Sequence, residues 1–164
     1  MKKTIALAAT AGFLLLAGCV KPYMLLSAGK PLSSYSAIKV SVDATRFLQT
    51  KQGDAHYDGY VKSCDDMKNV ITNRINTWTA AEFHGTPGGP VANLKIEVDD
   101  FYTGSGAARF FLGDAANGHL DVSATISGGH SYRVHAVIQG VGMDKLAAYM
   151  RVSSASANYI KDHE

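Results

Sequence analysis

Long apolar runs are nearly absent from this chain. The one sustained uncharged stretch, Thr4 to Leu16, is rich in Ala and Leu. It falls short of the roughly 20 apolar residues that a membrane-spanning helix needs. Cysteine is scarce: Cys19 and Cys64 are the only two, too few for a disulfide framework. Neither charge sign dominates, with 16 basic against 14 acidic residues, which argues against a dedicated nucleic-acid or polybasic membrane binder. Catalytic signatures are missing too. There is no Gly-x-Ser-x-Gly elbow, and Gly104-Ser105-Gly106 does not supply one. The six histidines lack helical ligand spacing, and His130 and His135, five apart on a strand, point to opposite faces. They are expected as surface residues, and neither a metal nor a cofactor is expected. Asp65-Asp66 and Asp99-Asp100 fit a helix start and a strand end better than a glycosidase pair.

What is present begins at the N-terminus. Lys2 and Lys3 form a positive region, Thr4–Leu16 has the length of a signal-peptide apolar core, and Leu16-Ala17-Gly18-Cys19 follows. That tetrapeptide resembles the lipobox of bacterial lipoproteins. The resemblance implies removal of residues 1–18 as a signal peptide, a diacylglycerol on the Cys19 sulfur, and acylation by palmitate. Covalent acyl chains contribute about 0.8 kcal/mol per buried methylene, so several chains anchor durably in the bilayer. Val20 is not the aspartate that retains such proteins in the inner membrane. The expected location is therefore the outer membrane, on its periplasmic leaflet.

Removing residues 1–18 of the 164 leaves 146, enough for one domain with a real core. Lys2 and Lys3 leave with the signal, so the remaining charges balance at 14 each. Cys64 then has no partner within the chain, and in an oxidising periplasm it is expected to be buried and inert.

Residues 19–37 read as a lipidated N-terminus and tether. Pro22, Pro31 and the Ser33-Ser34-Tyr35-Ser36 run discourage regular structure, so the domain would stand a few nanometres from the bilayer at most. Met24-Leu25-Leu26 is an apolar interruption with two destinations, the domain surface or the lipid surface. The domain, residues 38–164, opens with strict alternation from Ile38 to Asp43, the pattern of a half-buried strand. Residues 44–59 read as a polar loop, with Ala44–Gln49 a possible continuation of the strand. Ser63 then has the chemistry of a helix N-cap, with Asp66 three residues on. Tyr60, Cys64, Met67, Ile71, Ile75 and Trp78 follow helical spacing and predict a buried face.

Gly85–Pro90 ends that helix. Strands are predicted at Leu94–Tyr102, His119–Ile126 and Tyr132–Ile138, the last two joined as a hairpin by Ser127-Gly128-Gly129-His130. A final helix from about Met143-Asp144 is expected to bury Leu146, Tyr149, Met150 and Ala157. The expected fold is α+β: a two-layer sandwich of a largely antiparallel four-stranded sheet with two helices on one face, in the order strand-helix-strand-strand-strand-helix. The other face of the sheet would be polar and open to water.

Thr103–Gly118, TGSGAARFFLGDAANG, is the most distinctive stretch of the domain. It lacks the Walker spacing and the third glycine of a dinucleotide fingerprint. Arg109 has the chemistry to clamp a carboxylate or phosphate, or to pair with Asp99 or Asp114. Phe110-Phe111-Leu112 would either meet a partner or bilayer, or fold onto the core. The glycine pair, Ala107-Ala108-Arg109-Phe110, and Gly118 ahead of a strand beginning His119-Leu120 resemble the bacterial lipoproteins grouped as domain of unknown function 4410. The resemblance spans most of residues 36–160. It implies a fold and an envelope location, without an activity or a set of site residues.

Two functions follow as expectations. The first is a membrane-anchored, non-enzymatic adaptor whose polar sheet face or Phe110-Phe111 meets another envelope protein. The second is a module that binds a small molecule or glycan near Arg109. A hydrolase would need a histidine–carboxylate pair within a cleft.

Overall fold

The computed structural model describes residues 21–104, 117–138 and 145–164. Five strands run through them: β1 (Met24–Ser27), β2 (Ala37–Asp43), β3 (Val91–Tyr102), β4 (Gly118–Ile126) and β5 (His130–Ile138). Three α-helices accompany them: α1 (Thr45–Thr50), α2 (Tyr57–Glu82) and α3 (Lys145–Asp162), with a short 3-10 turn at Leu32–Ser34. The sheet order is β1-β5-β4-β3-β2.

The α+β character agrees with the sequence, but the four-stranded, two-helix sandwich does not. The sheet has a fifth strand, and it is mixed: β2 runs parallel to β3, whereas the other neighbours are antiparallel. Parallel neighbours need a long crossover, and α1 with α2 provide it. Residues 44–59, expected as a loop, hold α1 and the first turn of α2. Asp43 prepares that turn, its carboxylate accepting the Thr45 backbone N–H at 2.9 Å.

The fifth strand comes from the stretch expected to lack regular structure. β1 pairs with β5, Met24 opposite Arg133 and Leu25 opposite Tyr132. Around it the N-terminal segment is held at many points. Tyr23 is buried, its ring edge-on to Tyr159 at 5.0 Å and to Tyr132 at 5.9 Å. Its hydroxyl donates to Asp162. Tyr159 donates to the Ser27 carbonyl at 2.9 Å, and His130 Nε2 donates to the Lys30 carbonyl at 2.6 Å. Leu32 is wholly buried, and its N–H reaches the His163 carbonyl at 2.7 Å. Contact is so close at Gly29 that a Cβ there would lie 1.8 Å from the Gly128 carbonyl oxygen.

The core lies between the apolar sheet face and the helices. Ile38 and Val40 from β2, Leu94, Ile96 and Val98 from β3, and Leu120, Val122, Ala124 and Ile126 from β4 all point inward, as their alternation predicts. The α2 stripe supplies Cys64, Met67, Ile71 and Ile75, with Tyr60 and Trp78 half-buried at its ends. That helix starts six residues before Ser63. The Ser63 hydroxyl is no cap: it donates back to the Gly59 carbonyl at 2.8 Å and accepts Lys145 Nζ at 2.8 Å. Helix α3 buries Ala148, Tyr149, Val152, Ala155, Tyr159 and Ile160, while the expected Leu146 and Met150 are exposed. Its buried side mixes small residues (Ala148, Ser153, Ala155 and Ser156) with Tyr149, Val152, Tyr159 and Ile160. The Ser127-Gly128-Gly129 loop closes the β4–β5 hairpin with both glycines at positive φ, 88° and 93°, where L side chains are strained.

Candidate functional site

The polar face of the sheet carries the chemistry. On β3, pairing with β4 passes from Val98↔Val122 to Asp100↔Asp121, so one extra residue is inserted and the strand bulges. The bulge turns Asp99 and Asp100 out of the core together, where strict alternation would have buried one of them. On β4, His119, Asp121 and Ser123 share the same face through the two-residue period of a strand. On β5, the hairpin register places His135 directly opposite Asp121.

These side chains form one connected array. His119 Nε2 lies 3.0 Å from Asp100 Oδ2 and 3.9 Å from Asp121 Oδ2. His135 Nδ1 lies 2.5 Å from Asp121 Oδ1. The two imidazoles are stacked at 6.0 Å and 25°, and the exposed Tyr102 ring stands 6.1 Å from His119. Ser123 Oγ donates to Asp99 at 2.5 Å. Burial pushes the Asp100 carboxyl up, but the His119 bond and the Phe101 backbone N–H outweigh it and hold the group below its ordinary value.

An open trough of about 760 Å³ runs beside this array. Asp99, Asp100, Asp121 and His135 line it from the sheet, with Arg133 at one side. Lys21, Pro22, Tyr23 and Met24 close its end. Lys21 spans from the Tyr23 hydroxyl, at 3.2 Å, to Asp162, at 3.1 Å, and these bonds raise its ammonium's pKa. Three carboxylates, two cations and an imidazole thus converge on one concave surface.

The remaining histidines differ. His56 and His84 are exposed, as expected. His130, expected at the surface, is buried, with its Nδ1 accepting from the Gly29 N–H at 3.3 Å. No group of three His, Cys, Asp or Glu side chains among the described residues is arranged to hold a metal ion. No helix of the described residues is long and apolar enough to cross a membrane. Cys64 is free and buried, and burial pushes its thiol up to about 11.

Of the residues singled out in the sequence, Cys19, Arg109, Phe110 and Phe111 lie outside the described residues, as does Asp114. Asp99, one expected partner of Arg109, engages Ser123. The array of Asp100, His119, Asp121 and His135 was not foreseen. The expected four-residue turn, Ser127 to His130, would have set Asp121 opposite Ala136; the loop closes one residue sooner, with Ile126 opposite His130, and that register puts Asp121 across from His135. The Asp100–His119 pair depends on the β3 bulge, whose one sequence sign is the phase break between Val98 and Phe101 across Asp99-Asp100.

No protein-family model matches the chain, and no curated protein matches it in sequence. Among solved structures, a PelC dodecamer from Paraburkholderia phytofirmans is similar at 9% identity and a TM-score of 0.42, over 82% of this chain and 93% of that one.

Proposed function

We propose that this chain is a lipid-anchored protein of the bacterial envelope whose domain is a non-enzymatic binding module for a glycan or similar hydroxyl-rich small molecule. The observation that carries the binding half is the trough, where Asp99 and Asp100 from the β3 bulge join Asp121, His135 and Arg133 on one open face. Carboxylates and Arg133 suit the paired donors and acceptors of sugar hydroxyls. The open shape suits an extended ligand better than a closed cavity would. The anchoring half rests on the lipobox resemblance at Cys19, with Val20 favouring the outer membrane and a periplasmic orientation. Membership of the lipoprotein group named above belongs to the same reading.

Two histidine–carboxylate pairs line or flank the trough, and a hydrolase would use such pairs. The neighbouring hydroxyls are committed elsewhere: Ser123 donates to Asp99, and Ser131 shares a 2.8 Å hydrogen bond with Ser27. Among the described residues, no serine hydroxyl or thiol is bonded to either imidazole, and imidazoles held by carboxylates in this way are equipped to bind and orient.

The test is calorimetric titration of the mature protein with neutral, amino and acidic oligosaccharides. Asp121→Asn and His135→Ala are compared with Lys68→Ala on the α2 surface. Loss of a charge-assisted hydrogen bond should weaken binding about tenfold or more in the first two variants and leave the third unchanged. Absence of binding to every class by the wild type would sink the glycan reading and return attention to a protein partner.

A further inference from the structure

We infer that the β1 edge of the sheet is seated directly against the bilayer, with Met24, Leu25 and Leu26 among the lipid headgroups. The inference rests on the anchor at Cys19 proposed above, and adds what the fold does to that anchor. A lipoprotein domain is usually free to move on its linker. Here the linker is almost entirely consumed. Tyr23 is buried and ring-packed, and Lys21 is already bonded to Asp162. Once residues 1–18 are removed, only Cys19 and Val20 stand ahead of Lys21.

The reach follows from chain geometry. Fully extended backbone spans at most about 3.5 Å per residue, so the Tyr23 backbone lies within about 14 Å of that of Cys19. The acyl chains on Cys19 would be in the hydrocarbon layer, and a headgroup layer is only about 6 Å deep. Tyr23 leads straight into β1, so that strand is held at the membrane surface.

The composition of β1 fits such a seat. Met24, Leu25 and Leu26 are 55, 49 and 51% exposed, three consecutive large apolar side chains on the free edge of the sheet. Both faces of the edge are therefore apolar. A bare edge of this kind invites strand pairing with other chains, and soluble proteins usually blunt it with charge or proline. The occupant is thus the bilayer that carries the anchor.

Depth-dependent quenching tests this. The mature protein is isolated with its lipid from expressing membranes and reconstituted into phosphatidylethanolamine–phosphatidylglycerol vesicles with brominated acyl chains. Met24→Trp and Leu26→Trp are each placed in a Trp78→Phe background, and the unaltered protein reports from Trp78 on α2. Tryptophan at the interface should lose about half its emission or more at positions 24 and 26, while Trp78 changes little. A protein that floats with the vesicles but shows no quenching at either position would overturn the seating and leave the anchor standing. Blue-shifted but unquenched emission would mean that a second protein copy covers the edge, which also overturns it. A protein that fails to float would overturn the anchor and the seating together.

Discussion

Replacing Tyr23 with alanine tests how firmly the N-terminal segment belongs to the domain. Tyr23 is 6% exposed, ring-packed against Tyr159 and Tyr132, and bonded through its hydroxyl to Asp162. An aromatic side chain buries about 200 Å², worth up to roughly 5 kcal/mol at about 25 cal/mol per Å². The denatured chain retains some burial, and the site lies near the surface where neighbours can relax, so a loss of about 3 kcal/mol is expected. For a domain near 150 residues this lowers the thermal midpoint by roughly 10 °C. Tyr23→Phe keeps the ring and removes only the bond to a half-exposed carboxylate, so it should cost about 1 kcal/mol. Urea unfolding followed by circular dichroism measures both. A Tyr23→Ala protein with wild-type stability would refute the packing argument, and the short link between anchor and domain would fall with it.

Two further outcomes concern pH. The Cys64 thiol has a folded-state pKa raised to about 11, so folding gains stability that is fully present below the unfolded value near 8.5 and lost as pH rises toward 11, about 3 kcal/mol in all. Tyr159, pushed up to about 12 by burial, acts in the same direction over pH 10 to 12. Thermal midpoints should fall steadily above about pH 9, and a Cys64→Ala variant should lose the lower part of that slope. On the acid side, Asp43 is held down by hydrogen bonds from Thr45, and Asp162 by the Tyr23 hydroxyl. With Asp100 they stabilise the fold above about pH 4, and that contribution should fade as pH drops through their lowered values. A midpoint flat between neutrality and pH 3 would contradict it.

Much of the fold was legible because its strongest signals are periodic. Alternation marks β2, β4, β5 and β3 as far as Val98, and a stripe at three- and four-residue spacing marks α2. The misses share a cause: each is an element fixed by its neighbours rather than by its own pattern. β1 is four residues without alternation, and it is a strand because β5 offers it an edge. α1 is a six-residue helix with no side-chain cap. Ser63 has the chemistry of an N-cap, yet inside a helix the same hydroxyl can bond back one turn, as it does to Gly59. In α3 the expected face included Leu146 and Met150, but the buried stripe runs instead through Ala148, Tyr149, Val152, Ala155 and Tyr159. The site follows from strand pairing too. A hairpin loop one residue shorter than expected brings His135 to Asp121, and Asp100 reaches His119 only through a bulge.

Deleting residues 20–36 separates the two descriptions of the N-terminal segment most sharply. A tether can be removed without touching the domain, so the deletion would leave the thermal midpoint unchanged. The packing gives a different expectation. The deletion takes away Tyr23 and Leu32, both buried, together with the strand that covers part of β5. It also strands groups left behind: His130 loses the Lys30 carbonyl, Tyr159 loses that of Ser27, and the His163 carbonyl loses the Leu32 N–H. Burial of the two side chains contributes about 4 to 6 kcal/mol, and each abandoned polar group adds about 1 kcal/mol or more. That sum approaches the whole stability of an ordinary domain, typically about 5–15 kcal/mol. The shortened protein should therefore be largely unfolded at 37 °C, with broad, weakly cooperative melting. The trough would also lose the wall made by Lys21, Pro22, Tyr23 and Met24, so any truncated form that remained folded should bind oligosaccharide more weakly. Cooperative melting at the wild-type midpoint, with oligosaccharide affinity intact, would show that the segment is a passenger and that the domain begins at β2.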